Sequence, residues 1–183
     1  MTTEEEYDLH VLIPRGELAT IVKELADRIS SDYRGGDLVL VCVLKGAFIF
    51  LSDLVRLLQI PVEIDFVRLA SYGSKMKSSG TIELTKDIEI SIKGKDVLVI
   101  EDIVDSGRTL HFLRDRLSAS GARTVRICTL LDKKARREVE INADYVGKEI
   151  DDLFVVGYGI DFREAYRYLP DLCYVTPAEH SKE

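Results

Sequence analysis

Apolar residues along this chain follow two different spacings, and the points where one replaces the other mark out strands and helices. Leu18, Ile21, Val22, Leu25 and Ile29 fall at helical spacing with charges between them, which predicts an amphipathic helix ending near Tyr33-Arg34-Gly35-Gly36. Leu38 to Leu44 is a continuous apolar run followed by Lys45-Gly46 and an apolar helix from about Ala47 to Leu58. Val62, Ile64 and Phe66 alternate with Glu63 and Asp65, the periodicity of a strand reaching Leu69. The stretch from Ala70 to Gly80 is small, polar and too long for a tight hairpin, so it predicts either a lid or an ordinary surface loop. Thr81 to Ile92 returns to short strand-like alternation before a turn at Lys93-Gly94-Lys95.

The run Val97-Leu98-Val99-Ile100 shows no polar alternation, as expected of a strand covered on both faces of a parallel sheet. It stops at Glu101-Asp102, passes Ile103-Val104 to Asp105, and reaches Ser106-Gly107-Arg108-Thr109 ahead of the helical spacing of Leu110, Leu113 and Leu117. The reading is strand, acidic turn, helix start. That helix ends at Ser120-Gly121, and Val125 to Leu131 is the next strand, which completes a right-handed parallel βαβ unit. Leu153 to Val156 runs into Gly157-Tyr158-Gly159-Ile160-Asp161, and Leu172 to Val175 forms a last short strand. The expected fold class is α/β, a parallel twisted sheet flanked by helices.

The acidic turn joins two chemistries. Free backbone N–H groups at a helix start, with the hydroxyls of Ser106 and Thr109, make an anion site. Glu101, Asp102 and Asp105 would repel that anion and therefore face hydroxyls, a metal or a proton in transfer. A helix cap would need only one acid. A phosphorylated sugar satisfies both demands.

Composition narrows the partners. The chain of 183 residues fits one domain, and 46% hydrophobic residues suffice for a sizeable core. The 25 basic and 32 acidic side chains leave a net charge of −7, which argues against broad nucleic-acid or membrane-surface binding and makes any phosphate site local. Cys42, Cys128 and Cys173 each fall in a predicted strand and read as buried free thiols of a reducing cytoplasm. The start, Met-Thr-Thr-Glu-Glu-Glu, has no signal-peptide character, and no apolar run approaches the roughly 18 residues of a membrane span.

Ligands of open parallel sheets sit beyond the carboxyl ends of the strands. Lys45, the acids from Glu101 to Asp105, and Lys133 each follow a predicted strand, and Asp161 lies a few residues past another, so they can share one edge. The run Lys133-Lys134-Ala135-Arg136-Arg137 reads otherwise as a solvated turn, and His111 as a helix-face residue. A P-loop, a dinucleotide fingerprint, a nucleophile elbow and paired Cys or His metal spacings are all missing.

The stretch Glu101-Asp102-Ile103-Val104-Asp105-Ser106-Gly107-Arg108-Thr109 resembles the phosphoribosyl-diphosphate signature of the type I phosphoribosyltransferases. Leu44-Lys45-Gly46, the loop from Ser71-Tyr72-Gly73 to Ser78-Ser79-Gly80, Leu130-Leu131-Asp132-Lys133 and Phe154 to Asp161 narrow the resemblance to the hypoxanthine (guanine) group, over about Leu9 to Val175. Two positions depart from the pattern. Leu153 stands where a polar or basic residue often precedes the stacking Phe, and Arg108 adds a charge inside the phosphate loop.

The resemblance implies a single domain over 1–183, with a small hood of N- and C-terminal segments over the carboxyl edge and a mobile lid near 70–80. It implies transfer of phosphoribosyl from 5-phosphoribosyl 1-diphosphate to hypoxanthine or guanine, with magnesium as cofactor and dimers or tetramers as the assembly. Lys45 and Gly46 would hold pyrophosphate, through an unusual cis Leu44–Lys45 peptide, with Arg167 nearby. Glu101 and Asp102 would face the ribose hydroxyls and a magnesium ion, and Asp161 a second one. Asp105 would meet N7 of the purine and accept its proton, and Ser106, Gly107, Arg108 and Thr109 would cradle the 5′-phosphate. Lys133 would contact the 6-oxo group, Phe154 would stack on the ring, Val155 would pair through its backbone, and Ser71 and Tyr72 would act from the lid. A xanthine-preferring relative, a phosphoribosyltransferase-fold RNA-binding regulator and a receiver-type signalling domain are the competing readings. The regulator requires a broad basic face, and the receiver requires neither the phosphate turn nor Phe154.

Overall fold

The computed structural model describes residues 7–72 and 81–178, with backbone alone at 71, 72 and 81. In chain order the elements are β1 (Tyr7–Ile13), α1 (Arg15–Asp32), β2 (Leu38–Leu44), α2 (Phe48–Val55), β3 (Val62–Tyr72), β4 (Thr81–Lys86) and β5 (Asp96–Val104). There follow α3 (Arg108–Ala119), β6 (Thr124–Asp132), a 3-10 turn (Lys134–Arg136), β7 (Tyr145–Glu149), β8 (Val155–Val156) and β9 (Leu172–Pro177). The principal sheet has the order β4-β3-β2-β5-β6-β7, parallel except for the antiparallel β3–β4 pair.

Strand periodicity explains how this sheet is covered. Leu38, Leu40 and Cys42 of β2, with Leu98 and Ile100 of β5, project into a core shared with α1 and α2. Val39, Val41 and Val43, with Val97 and Val99, project into a second core against α3. Because successive side chains point to opposite faces, burying both faces demands the unbroken apolar runs seen in these strands. The expected α/β class, with a parallel sheet between helices, is the architecture found. Cys42, Cys128 and Cys173 are buried free thiols, and burial pushes the Cys42 thiol up to about 12.

A second sheet, β1-β9-β8, is antiparallel and built from residues near both ends of the chain. Its Ile13, Val155 and Leu172 enter the same core as α1 and α2. The expected strand around Leu153 to Val156 therefore lies here, shortened to β8, and Asp161 does not follow a strand of the parallel sheet. The apolar run of α2 stops its helix at Val55 rather than Leu58. Residues 70 to 72 extend β3 and pair with β4, so the expected Ala70–Gly80 loop is narrower, and its remainder at 73–80 lies outside the described residues.

Candidate active site

β5 runs on through its acids. Glu101 and Asp102 are strand residues, with Glu101 paired across to Thr129 on β6, and only Asp105 to Gly107 form the connection to α3. The expected acidic turn is thus a strand end, because the parallel neighbour β6 continues in register to Val104 opposite Asp132. The two neighbouring acids remain within reach of one another. Glu101 is buried, and burial first, then the neighbouring Asp102 carboxylate, push its carboxyl well above the usual range. Asp102 stands beside Gly46: a methyl group at Gly46 would lie 1.9 Å from Asp102 Oδ2. Glycine is what lets the Lys45-Gly46 backbone press against this carboxylate. The Leu44–Lys45 peptide is cis, as the resemblance implies.

The connection Asp105–Gly107 turns sharply. Gly107 adopts φ 81 as the N-cap of α3, a left-handed conformation open to glycine, and a Cβ there would meet Ile141 Cγ2 at 2.5 Å. The first amides of α3 have no partner within the helix, which is the arrangement that receives an anion. Glu101, Asp105, Ser106, Gly107 and Thr109 line one cleft of about 260 Å³, whose apolar lining includes Val43, Leu69 and Ile82. Oδ1 of Asp105 is buried there without a hydrogen-bond partner. A buried, unsatisfied carboxylate oxygen is costly unless a ligand completes it. Arg108 turns aside from this cleft to pair with Glu138 at 2.6 Å.

The basic run after β6 divides. Lys133 is 6% exposed, and its Nζ donates to the Leu153 carbonyl at 2.8 Å. Arg137 is largely buried; its guanidinium donates to the Asp105 carbonyl at 3.2 Å, to the Ile141 carbonyl and to the buried Asp132 carboxylate. The solvated-turn expectation therefore fails at both ends of the run, where buried acceptors wait for a cation. Phe154, beside the Leu153 carbonyl, is 52% exposed and packs edge-to-face on Phe162 at 5.1 Å. Val155 is buried and pairs with Tyr174 on β9.

Asp161 and Arg167 meet at 2.7 Å, and Arg167 also donates to the Gly159 carbonyl at 2.8 Å. Glu164 bridges Lys45 and Arg167, the two cations that the resemblance places near pyrophosphate, 2.9 Å from Lys45 Nζ and 3.4 Å from Arg167. Gly159 in turn packs on the backbone of Gly46, where a Cβ would lie 2.2 Å from the Gly46 carbonyl oxygen. Sequence patterning overlooked Arg137, Glu164 and Phe162. Charge identity alone marks the first two, and Phe162, adjacent to Asp161, carried an aromatic signal that went unused. The side chains of Ser71 and Tyr72 lie outside the described residues.

Among the described residues no three His, Cys, Asp or Glu side chains converge on a metal position. Glu101 lines the cleft and Asp102 abuts Gly46 beside it, and a carboxylate pair of this kind suits magnesium, which binds through one or two carboxylates together with substrate phosphates and water.

A family model described as "Phosphoribosyl transferase domain" matches residues 14–163. Hypoxanthine phosphoribosyltransferase of Salmonella typhimurium is 44% identical over 90% of this chain and 94% of its own length. Hypoxanthine-guanine phosphoribosyltransferase of Aquifex aeolicus is 46% identical over 90% of this chain and 93% of its own. The crystal structure of a hypoxanthine phosphoribosyltransferase from Staphylococcus aureus superposes with a TM-score of 0.89 at 42% identity, covering 94% of each chain. This chain belongs to the phosphoribosyl transferase family.

Proposed function

We propose that this protein is a purine-salvage enzyme that joins hypoxanthine, and guanine, to the phosphoribosyl group of 5-phosphoribosyl 1-diphosphate and releases pyrophosphate. The observation that carries this is the single cleft in which Glu101, Asp105 and the Ser106–Thr109 turn meet at the head of α3. The names of the relatives agree with that chemistry.

The 5′-phosphate would sit at the Ser106–Thr109 turn, held by amides that need no reorganisation. Glu101 and Asp102 would face the ribose hydroxyls and hold magnesium, which when bound offsets the negative charge of the diphosphate. Asp161, engaged by Arg167, would exchange that partner to serve a second ion. Lys45 and Arg167 would take up the charge that develops on the departing pyrophosphate while the ribose becomes oxocarbenium-like. Asp105, with its unsatisfied Oδ1, would accept the proton from the base at N7. Lys133 would give up the Leu153 carbonyl for the 6-oxo group, and Phe154 would stack on the purine. Ser71 and Tyr72 would act from a mobile lid that excludes water during transfer.

The wider setting belongs to the same reading: one domain over 1–183 with the β1-β9-β8 sheet as its hood, a cytoplasmic location, and assembly as a homodimer or homotetramer. No helix among the described residues is long and apolar enough to cross a membrane.

The test offers hypoxanthine, guanine, xanthine and adenine separately with phosphoribosyl diphosphate and magnesium. Consumption of hypoxanthine and guanine is expected. Preference for xanthine would change the substrate alone, and failure to consume any base would end the enzyme reading.

A further inference from the structure

The cations on which the proposed reaction depends for its leaving group share an anion of the protein's own. Glu164 Oε2 lies 2.9 Å from Lys45 Nζ and 3.4 Å from an Arg167 amine, although Lys45 and Glu164 are far apart in sequence and reach each other across two loops.

The position is built by the backbone. Glu164 N–H donates to Asp161 Oδ2 at 2.8 Å, while Asp161 Oδ1 takes Arg167 at 2.7 Å, so one carboxylate sets both the acid and one of its cations. Arg163, Glu164 and Tyr166 all have positive φ, from 54 to 70, a left-handed conformation that non-glycine residues adopt at a cost. Such a run of unfavourable conformations persists where surrounding contacts over-determine it, and here they deliver the Glu164 carboxylate between two cations.

We propose that Glu164 is a resident counter-anion of the diphosphate site: it occupies Lys45 and Arg167 when that site is empty and is displaced by pyrophosphate or the diphosphate of the substrate. The proposal rests on the phosphoribosyl-transfer reading. Its sign is distinctive. Pyrophosphate must break the Lys45–Glu164 and Arg167–Glu164 contacts and then tolerate a nearby carboxylate, so Glu164 weakens pyrophosphate binding and favours its departure. A residue that merely held the loop together would have the opposite effect. The Glu164 side chain is 67% exposed, and exposed ion pairs are weak, so the effect is a modest one of about two- to fivefold.

The experiment is calorimetric titration of the magnesium-loaded protein with pyrophosphate, for wild type, Glu164→Gln and Glu164→Ala, with IMP as a second titrant. Both variants are expected to bind pyrophosphate about two- to fivefold more tightly, with IMP affinity unchanged because that ligand carries no diphosphate. Unchanged or weaker pyrophosphate binding in either variant, or a parallel change in IMP affinity, would overturn the proposal. Turnover of hypoxanthine by the wild-type preparation is measured alongside. An inactive wild type would defeat the transferase reading, whereas an active wild type with no tightening in the variants would defeat the role of Glu164 alone.

Discussion

In the proposed transfer Asp105 is the proton acceptor, and its environment leaves room for a partner. One of its carboxylate oxygens is buried and unpartnered, while its backbone carbonyl is held by Arg137. Asp105→Ala is expected to slow turnover by about 10²- to 10⁴-fold, the usual yield of a positioned proton acceptor, with IMP binding largely retained. Steady-state rates beside IMP titration separate the two, and unchanged turnover would remove Asp105 from the mechanism. The acid triplet and the Ser-Gly-Arg-Thr turn were legible in the sequence because both are contiguous. What spacing could not show was the different fate of adjacent acids. Glu101 is buried while Asp102 abuts Gly46, because β5 runs on through both acids to Val104 rather than ending at Ile100.

At the scale of elements, buried ion pairs carry the segments that periodicity leaves undetermined. Arg137 closes the loop after β6 onto the Asp105 carbonyl, and its partner Asp132 is only 4% exposed. Arg137→Met leaves that charge unpaired and should cost about 3–5 kcal/mol in denaturant unfolding. Arg137→Lys keeps the charge but not the planar fork, so it should recover part of the stability and less of the IMP affinity. On the far side of the sheet, Asp65 gathers the irregular segment after β4, accepting from the amides of Phe66, Glu89 and Ile90 and approached by Lys86 at 3.5 Å. Burial alone would raise its carboxyl, but those amide donors, with Lys86, outweigh burial and hold it below the usual range. A lowered folded value stabilises the fold above the unfolded value and is lost as pH falls through the folded one. Asp65→Asn should therefore cost about 1–3 kcal/mol at neutral pH, with the difference from wild type shrinking below about pH 4 in pH-resolved thermal melts. A constant difference across that range would exclude the carboxylate as its source.

Elements went unread where local composition opposed the pattern. β1 alternates Tyr7, Leu9, Val11 and Ile13, but it borders an acidic leader and its Leu9 and Val11 remain exposed on an edge strand. β7 contains Gly147 and two charged residues, which break the apolar signal. The glycine is required there, since a Cβ would meet the Leu130 carbonyl oxygen at 2.6 Å and Ile21 Cγ2 at 2.8 Å, where α1 packs over the sheet. The principal strands were legible because they are buried on both faces. The edge strands, by contrast, answer to packing against distant elements.

For the whole molecule, the question is whether the small sheet is an appendage or part of one cooperative unit. Ile13, Val155, Tyr158, Ile160 and Leu172 belong to the same core as α1, α2 and one face of the principal sheet. Polar ties reinforce it: Tyr158 Oη donates to Asp53 Oδ2 at 2.6 Å, and the Arg15 amide to Asp171 Oδ1 at 2.6 Å. A sheet that shares its core cannot unfold without exposing the apolar faces of α1 and α2, so the energetics of the two are joined. Leu172 is fully buried on β9, and Leu172→Ala should cost about 2–5 kcal/mol. In a chain of this size, each kcal/mol lowers Tm by about 2–4 °C. The melt should remain one transition, with equal calorimetric and van't Hoff enthalpies, because the lost contacts lie in the common core. An early, separate transition would mean that the small sheet melts alone. Phe154 would then move with the small sheet while Asp105 and the Ser106–Thr109 turn stayed on the principal one, and the proposed purine binding would need the two to come together as a distinct step. A single transition places β8 and β5 on one folding unit, so that Phe154 and Asp105, the two ends of the proposed site, unfold together.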